Sequence, residues 1–417
     1  MVSAYFKILF KRNFALLWFG QIISQFGDRL TQFALVGLVS KVSMTSSSLA
    51  VVMSMAVIPV FIISPISGVY TDRWSKRKTM YTSDLIRAIF ILLIPLFFSR
   101  FKNLLPIYFL IFLSFSAGRF FIPAKMAFIP EVVNKDRIFM ANSLVSTTAM
   151  IAAVMGIGWG AIIVEKLGIT AAFVLDAITF FISSLAILFI TTKEKGKFLP
   201  KDIFLIGKDV VANIKKSFLY ELKEGIAYIF KSDETRYAFK IYLFLFSYIG
   251  ALYVVFIRYI QLTLGSITQD LGFVAVSLGA GLFLGSIIYG RAAHKISIKT
   301  TINSAIMLSS LFLIFYVVYL KNHPFILVAI PLSVFLGILI SPTFIAINAL
   351  IHKESDHKLL GRIFSGLEFT SHLGFLATMF LASILADIFT PFTIIISIGI
   401  IGFFVSLIFI LKNDPRT

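Results

Sequence analysis

Gly68-Val69-Tyr70-Thr71-Asp72-Arg73-Trp74-Ser75-Lys76-Arg77-Lys78 joins two long apolar segments, and its order decides how the rest of the chain is read. A glycine at an expected helix end is followed by an Asp-Arg pair and then by a cluster of cations. Glycine at that position allows close helix packing. The Asp72 carboxylate is placed to accept backbone N–H groups or to pair with an arginine, and the cations hold the turn in the cytosol. An ordinary cytosolic loop accounts for the cations but not for the Gly–Asp–Arg spacing.

Outward from that turn, the chain is a succession of apolar runs. Of its 417 residues 59% are hydrophobic and only 14% charged, which excludes a soluble globular protein of ordinary make-up. Twelve runs reach the length needed to cross a hydrocarbon core of roughly 30 Å. They lie near 14–40, 48–70, 79–99, 104–129, 138–164, 169–192, 237–262, 270–293, 300–320, 324–351, 360–386 and 390–411. The alternation of a membrane β-barrel is absent, so the expected fold class is an all-α membrane protein.

The net charge of +18 does not point to nucleic acid, because its placement follows the membrane. With a cytosolic amino terminus, the loops on the other side carry only Lys41, Arg100, Lys102, Lys166 and Lys321. Most of the remaining Lys and Arg fall in loops and ends on the cytosolic side. That asymmetry puts both termini in the cytosol of a plasma membrane, with the basic excess facing anionic lipid headgroups. With no cysteine, disulfides and thiolate chemistry are excluded. The start, MVSAYFKILFKRNF, shows no small-residue cleavage pattern and reads as leading into a retained helix.

The long polar interruption divides the chain into 1–192, a cytoplasmic linker 193–236, and 237–417, with six apolar runs on each side. Within the linker, Val210, Ile214, Phe218, Leu222, Ile226 and Ile229 recur at helical spacing against Lys208, Lys215, Lys216 and Lys223. An amphipathic helix follows, either a lipid-contacting brace or a linker packed beneath the bundles. The halves show faint self-similarity. Ile122-Pro123-Ala124 closes a helix before Arg137-Ile138-Phe139 opens the next, and Ser341-Pro342-Thr343 precedes Arg362-Ile363-Phe364 in the same way.

The turn at 68–78 resembles the pattern G-x-x-x-D-R-x-x-R-R/K between the second and third helices of major facilitator superfamily transporters, with Gly68, Asp72, Arg73 and Arg77 matching it. Leu17-Trp18-Phe19-Gly20-Gln21-Ile22-Ile23-Ser24-Gln25-Phe26-Gly27-Asp28, Glu221–Ile229 and Leu278–Ser286 are similar to stretches of the macrolide-efflux and enterobactin-exporter branch. Lysophospholipid transporters share much of this pattern. The resemblance implies twelve helices in two pseudo-symmetric six-helix bundles and a secondary transporter. It also implies a conformational latch at the charged turn. Arg119 follows Gly118 and stands four residues before Pro123, closer than the family's proton-linked arginine. Gly156-Ile157-Gly158-Trp159-Gly160 resembles the antiporter segment but has Ile157 where proline is usual.

Charges inside a span cost several kcal/mol unless paired or hydrated, so each is a candidate. Asp28, roughly 21 Å along the first helix, is a candidate proton carrier, with Arg29 beside it as its candidate counter-ion. Glu368 and His372 share a face at i, i+4 and form a candidate proton relay. Asp84 and Arg87, with Asp72, Arg73 and Arg119, are expected at the cytosolic end as a switchable charge network. Gln21, Gln25, Asp28 and Gln32 form a polar stripe, either a cavity wall or interhelical hydrogen bonds. Arg258 is expected to snorkel to the interface. The counterpart turn, Gly285–Arg291, lacks an acid.

No enzyme constellation is legible. The five histidines show no metal-ligand spacing, and no phosphate-cradling loop appears, so no cofactor or metal is expected. The expected function is proton-coupled efflux of amphipathic or hydrophobic small molecules, macrolide-like drugs or siderophores. The alternatives are a lysophospholipid flippase and a non-transporting sensor or scaffold. Expected partners are the small-molecule substrate, protons and membrane lipids but no nucleic acid, for a chain acting as a monomer.

Overall fold

A computed structural model describes residues 8–43, 45–101, 103–191, 233–292, 297–354 and 360–412. Its elements are α1 (Arg12–Val42), α2 (Ser46–Ile62), α3 (Ser64–Arg73), α4 (Lys76–Phe101), α5 (Leu105–Val132), α6 (Ile138–Leu167) and α7 (Ile169–Leu188). They continue with α8 (Asp233–Leu264), α9 (Gln269–Ala292), α10 (Ile298–Asn322), α11 (Ile326–Glu354), α12 (Leu360–Ile388) and α13 (Pro391–Lys412). No strand occurs among the described residues. Ten of these helices have the length and mean hydropathy to cross a membrane. Helix α1, 31 residues long, is long enough, but its polar stripe makes it less apolar.

The expected helix at 48–70 is two helices. Pro65 stands in the first turn of α3, where its missing N–H costs nothing, and the chain breaks at Ile63. The charged turn at 68–78 is also shorter than expected. Gly68 to Arg73 are the last turns of α3, and only Trp74 and Ser75 interrupt the path into α4. Pro123 and Pro342, expected at helix ends, lie inside α5 and α11. Helices within a membrane protein tolerate such prolines because neighbouring helices satisfy the freed carbonyls.

Two compact units emerge, Met1–Ser43 with Val51–Phe218, and Met44–Ala50 with Leu219–Thr417. In the first, α1 packs on α6 and α7, α4 on α5 and α7, and α3 on α5. In the second, α8 packs on α12 and α13, α10 on α11 and α13, and α9 on α11. The same pairing order thus occurs inside each unit. Also within the second unit, the Asp387 carboxylate accepts the N–H groups of Ser46 and Ser47 at 2.5 and 3.0 Å. Of the linker expected at 193–236, residues 193–232 and the amphipathic pattern they carry lie outside the described residues, as do the structures of His294 and His357.

The burial pattern is that of a chain solvated by lipid. Leu105, Leu327, Leu381 and Phe404 are exposed, while Gln21, Thr31, Asp84, Asp176 and Asn303 are buried. Apolar flanks face outward and polar groups are satisfied inward, the arrangement a hydrocarbon solvent demands. Small residues make the tight seams. At Gly156 a Cβ would stand 2.9 Å from the Arg29 side chain, and at Gly281 it would collide with the Val334 carbonyl oxygen. At Gly68, by contrast, a Cβ would meet nothing within 4 Å among the described residues.

Candidate substrate cavity and its charge cluster

Helix α1 carries Gln21, Gln25, Asp28 and Gln32 at intervals of three and four, which stacks them on one face. Opposite, α4 contributes Asp84 and Arg87 one turn apart, and α5 contributes Gly118, Arg119 and Lys125. These residues line a cavity of about 270 Å³ within the first unit. Helix α7 contributes the buried residues Asp176, Phe180 and Ser183, of which Phe180 touches Arg87 and Ser183 touches Asp84.

Arg87 is the centre of the cluster. It donates to the Asp28 carboxylate as an ion pair, and its guanidinium lies 3.9 Å from the centroid of the Phe180 ring. The side chains keep 10% and 29% of their surface exposed, so water reaches the acid more than the base. Arg29, expected as the counter-ion of Asp28, turns away. Its Nη1 donates to Gln32 Oε1 at 2.9 Å. Neighbours in a helix diverge by about 100°, and Arg87 from α4 fills the place. Asp28 stands near the middle of the 31-residue α1.

Asp84 is 1% exposed; one of its oxygens accepts from Ser183 Oγ at 2.6 Å, and the other is buried without a partner among the described residues. The Nε of Arg119 is likewise buried and unpartnered, as is Oε1 of Gln21. Asp84, Arg87 and Arg119 thus line the cavity together with Asp28. Asp84 and Arg87 are seven and ten residues beyond Arg77 along α4, roughly 10 and 15 Å. Arg77 instead donates to the main-chain carbonyls of Leu188 and Ile190, placing a cation at the carboxyl end of α7. The backbone puts Asp72 and Arg73 in the last turn of α3; their side chains lie outside the described residues. Beside the turn, Lys76 pairs with Glu131 at 2.6 Å.

Asp176 was missed by sequence reasoning. It is fully buried in α7, where its carboxylate accepts from Thr31 Oγ1 of α1 at 2.5 Å and from Thr179 Oγ1 at 3.1 Å. Gly27 makes the approach possible, since a methyl there would collide with Asp176 and Thr179. The signal was present as the only acid in the 20-residue apolar helix α7. Lys125 on α5 was passed over in the same way.

On the adjacent face of α1, Trp18, Ile22 and Phe26 with Ile151 and Met155 of α6 line an apolar groove of about 370 Å³. The indole Nε1 of Trp18 donates to Thr148 Oγ1 at 3.0 Å there. One helix thus separates a charged cavity from an apolar one. In the second unit, His372 Nδ1 lies 2.7 Å from the main-chain carbonyl oxygen of Glu368, and its ring tilts against Phe246. Arg258, expected at the interface, is 7% exposed and donates to Gln261 Oε1 at 3.3 Å. The glutamine gives the guanidinium an internal partner in place of interfacial water. No group of three or more His, Cys, Asp or Glu suited to a metal occurs among the described residues.

Comparison with known proteins gives this arrangement its context. The chain is 28% identical over 362 residues to a Bacillus subtilis (strain 168) protein described as "Uncharacterized MFS-type transporter YkuC", covering 86% of this chain and 81% of that protein. It is 21% identical over 290 residues to "Macrolide efflux protein A" of Streptococcus pyogenes, covering 67% and 66%. Its fold is similar to that of a point mutant of the nucleoside transporter NupG, with a TM-score of 0.70 at 14% identity over 96% of this chain and all of the other. The family profile named Major Facilitator Superfamily matches residues 17–220 and 238–417, nearly the full length. With an all-helical fold in place of the expected spans and this profile across both halves, the chain belongs to the Major Facilitator Superfamily.

Proposed function

We propose that this integral membrane protein is a secondary transporter that exports amphipathic or hydrophobic small molecules from the cytosol by alternating access, coupled to inward proton flow. The observation that carries the reading is the ion pair of Asp28 and Arg87 in a cavity flanked by an apolar groove. Ionisable groups are costly in a membrane span, and a pair held in a water-filled cavity is a place where a proton can be exchanged. Protonation of Asp28 frees Arg87, and its loss restores the pair, so the cavity has two charge states for one transport cycle. The flanking groove suits the apolar part of an amphipathic molecule. The similarity to a macrolide efflux protein supports export as the direction.

The basic excess at the turn around Arg77 supports a plasma-membrane location with both termini in the cytosol. Gly68, Asp72, Arg73 and Arg77, with Asp84, Arg87 and Arg119, are proposed as a conformational latch, and Glu368 with His372 as a second proton group. A monomer suffices, since the cavity is complete within one chain.

The test uses the purified chain in liposomes. With the lumen made acidic, molecules inserted with their cytosolic face outward are expected to accumulate the amphipathic probe L-2-naphthylalanine beyond protein-free liposomes. Asp28→Asn is expected to lose gradient-driven accumulation while keeping exchange of the probe at equal pH. Full gradient-driven accumulation by Asp28→Asn would remove Asp28 from the coupling.

A further inference from the structure

We infer that the cavity between α1, α4 and α5 receives a small molecule bearing both an anionic group and a protonated amine. The anion sits on Arg119 and Lys125, and the amine toward Asp28 and Asp84. This rests on the transport reading and names the chemical class of its substrate.

The cavity is lined by four cations and two acids, Arg29, Arg87, Arg119 and Lys125 against Asp28 and Asp84, an excess of two positive charges. Asp28 already neutralises Arg87, and Arg29 is engaged with Gln32. Arg119 and Lys125 make no hydrogen bond or ion pair among the described residues, and the Arg119 Nε is shielded from solvent. A guanidinium whose Nε is shielded from water and lacks an acceptor is costly, and a carboxylate or phosphate is the acceptor that its fork geometry fits. Helix α5 sets the two cations six residues apart, roughly 9 Å, on the same cavity. A cation-only substrate is opposed by this excess.

An anion alone leaves the other side of the cavity unanswered. Asp84 is 1% exposed with one oxygen unpartnered, and Gln21 is 3% exposed with its Oε1 unpartnered. Both are acceptors and call for a donor. The sign of the proton coupling makes the same demand. A lone anion beside Asp28 would favour the protonated carboxyl, so substrate and proton would bind together and travel in the same direction. An ammonium beside Asp28 favours the ionised carboxylate, so it competes with the proton, which is what exchange requires. A molecule with both groups meets the cations, the orphaned acceptors and the exchange sign at once.

The experiment uses the full chain in lipid nanodiscs and one apolar body in four forms. These are L-2-naphthylalanine, its carboxamide, its N-acetyl derivative and its N-acetyl carboxamide, measured by equilibrium dialysis with protein-free nanodiscs subtracted. Naphthylalanine is expected to bind at least ~10-fold more tightly than each of the others, since each lost charge-assisted contact is worth about that factor. Arg119→Gln and Lys125→Gln are each expected to shrink the ratio of naphthylalanine to its carboxamide toward one. The ratio between probes is internal to each sample, so a variant that folds in lower yield still reports it. Carboxamide or N-acetyl binding equal to that of naphthylalanine overturns the inference. So does absence of naphthylalanine binding at millimolar concentration, or a ratio unchanged in both variants. Failure of the transport reading looks different: the preference is present, and an imposed pH gradient moves no substrate.

Discussion

Removing the acid from the Asp28–Arg87 pair should cost more than removing both partners. At about 3 Å and an effective dielectric of about 20, the pair's gross attraction is roughly 5 kcal/mol. Arg87 keeps 10% of its side chain exposed and Asp28 29%, so water offsets part of that. Asp84, one turn away on α4, also shares the guanidinium's charge. The net penalty for Asp28→Asn is then about 2–3 kcal/mol, below the ~3–5 kcal/mol typical when one member of a fully buried pair is deleted. For a unit of this size that lowers the melting temperature by roughly 5–10 °C. Arg87→Gln leaves Asp28 partly hydrated and should cost less, plus the contact with Phe180. In the double variant neither charge is stranded. Thermal melting of the detergent-solubilised chain, followed by tryptophan fluorescence, should show the double falling short of the summed singles by about 2 kcal/mol. Additivity within about 0.5 kcal/mol would mean that the two groups do not interact, and the cluster would lose its centre.

Further substitutions probe the surroundings of the cavity. Gly27→Ala drives a methyl into Asp176 and Thr179 and should destabilise by about 2 kcal/mol or more, whereas Gly68→Ala meets nothing within 4 Å and should leave melting unchanged or slightly higher. Equal losses at both glycines would contradict the packing of α1 on α7. Asp176→Asn keeps volume and hydrogen bonding and should melt within a few degrees of the parent. Asp176→Leu strands the hydroxyl of Thr31 and should cost about 2–3 kcal/mol. Parity of the two Asp176 variants would show that those hydrogen bonds carry no weight.

The helical class was legible because apolar runs of spanning length need no tertiary context, although one of the twelve expected runs, 48–70, is two helices. Breaks inside runs were not. Pro65 ends α2 and starts α3, while Pro123 and Pro342 leave their helices continuous, and only neighbouring helices decide between those outcomes. The polar stripe of α1 was visible in its spacing, as were Asp84, Arg87 and Arg119 as membrane charges. Their partners were not, since Asp28 meets Arg87 across 59 positions and Thr31 meets Asp176 across 145. Proximity in sequence suggested Arg29 for Asp28 and the charged turn for Asp84. A helix turns adjacent side chains apart, so the true partner came from another helix in each case.

The most direct test of alternating access places one cysteine in the cavity. The chain has none of its own, so Gln25→Cys introduces a single reactive site on the cavity wall. Membrane-impermeant maleimide is applied to vesicles of one orientation and then to vesicles of the other. Alternating access predicts labelling from both aqueous sides, with substrate slowing the reaction from each. Labelling from one side alone, at full extent and unaffected by substrate, would contradict a site that opens in turn to both compartments.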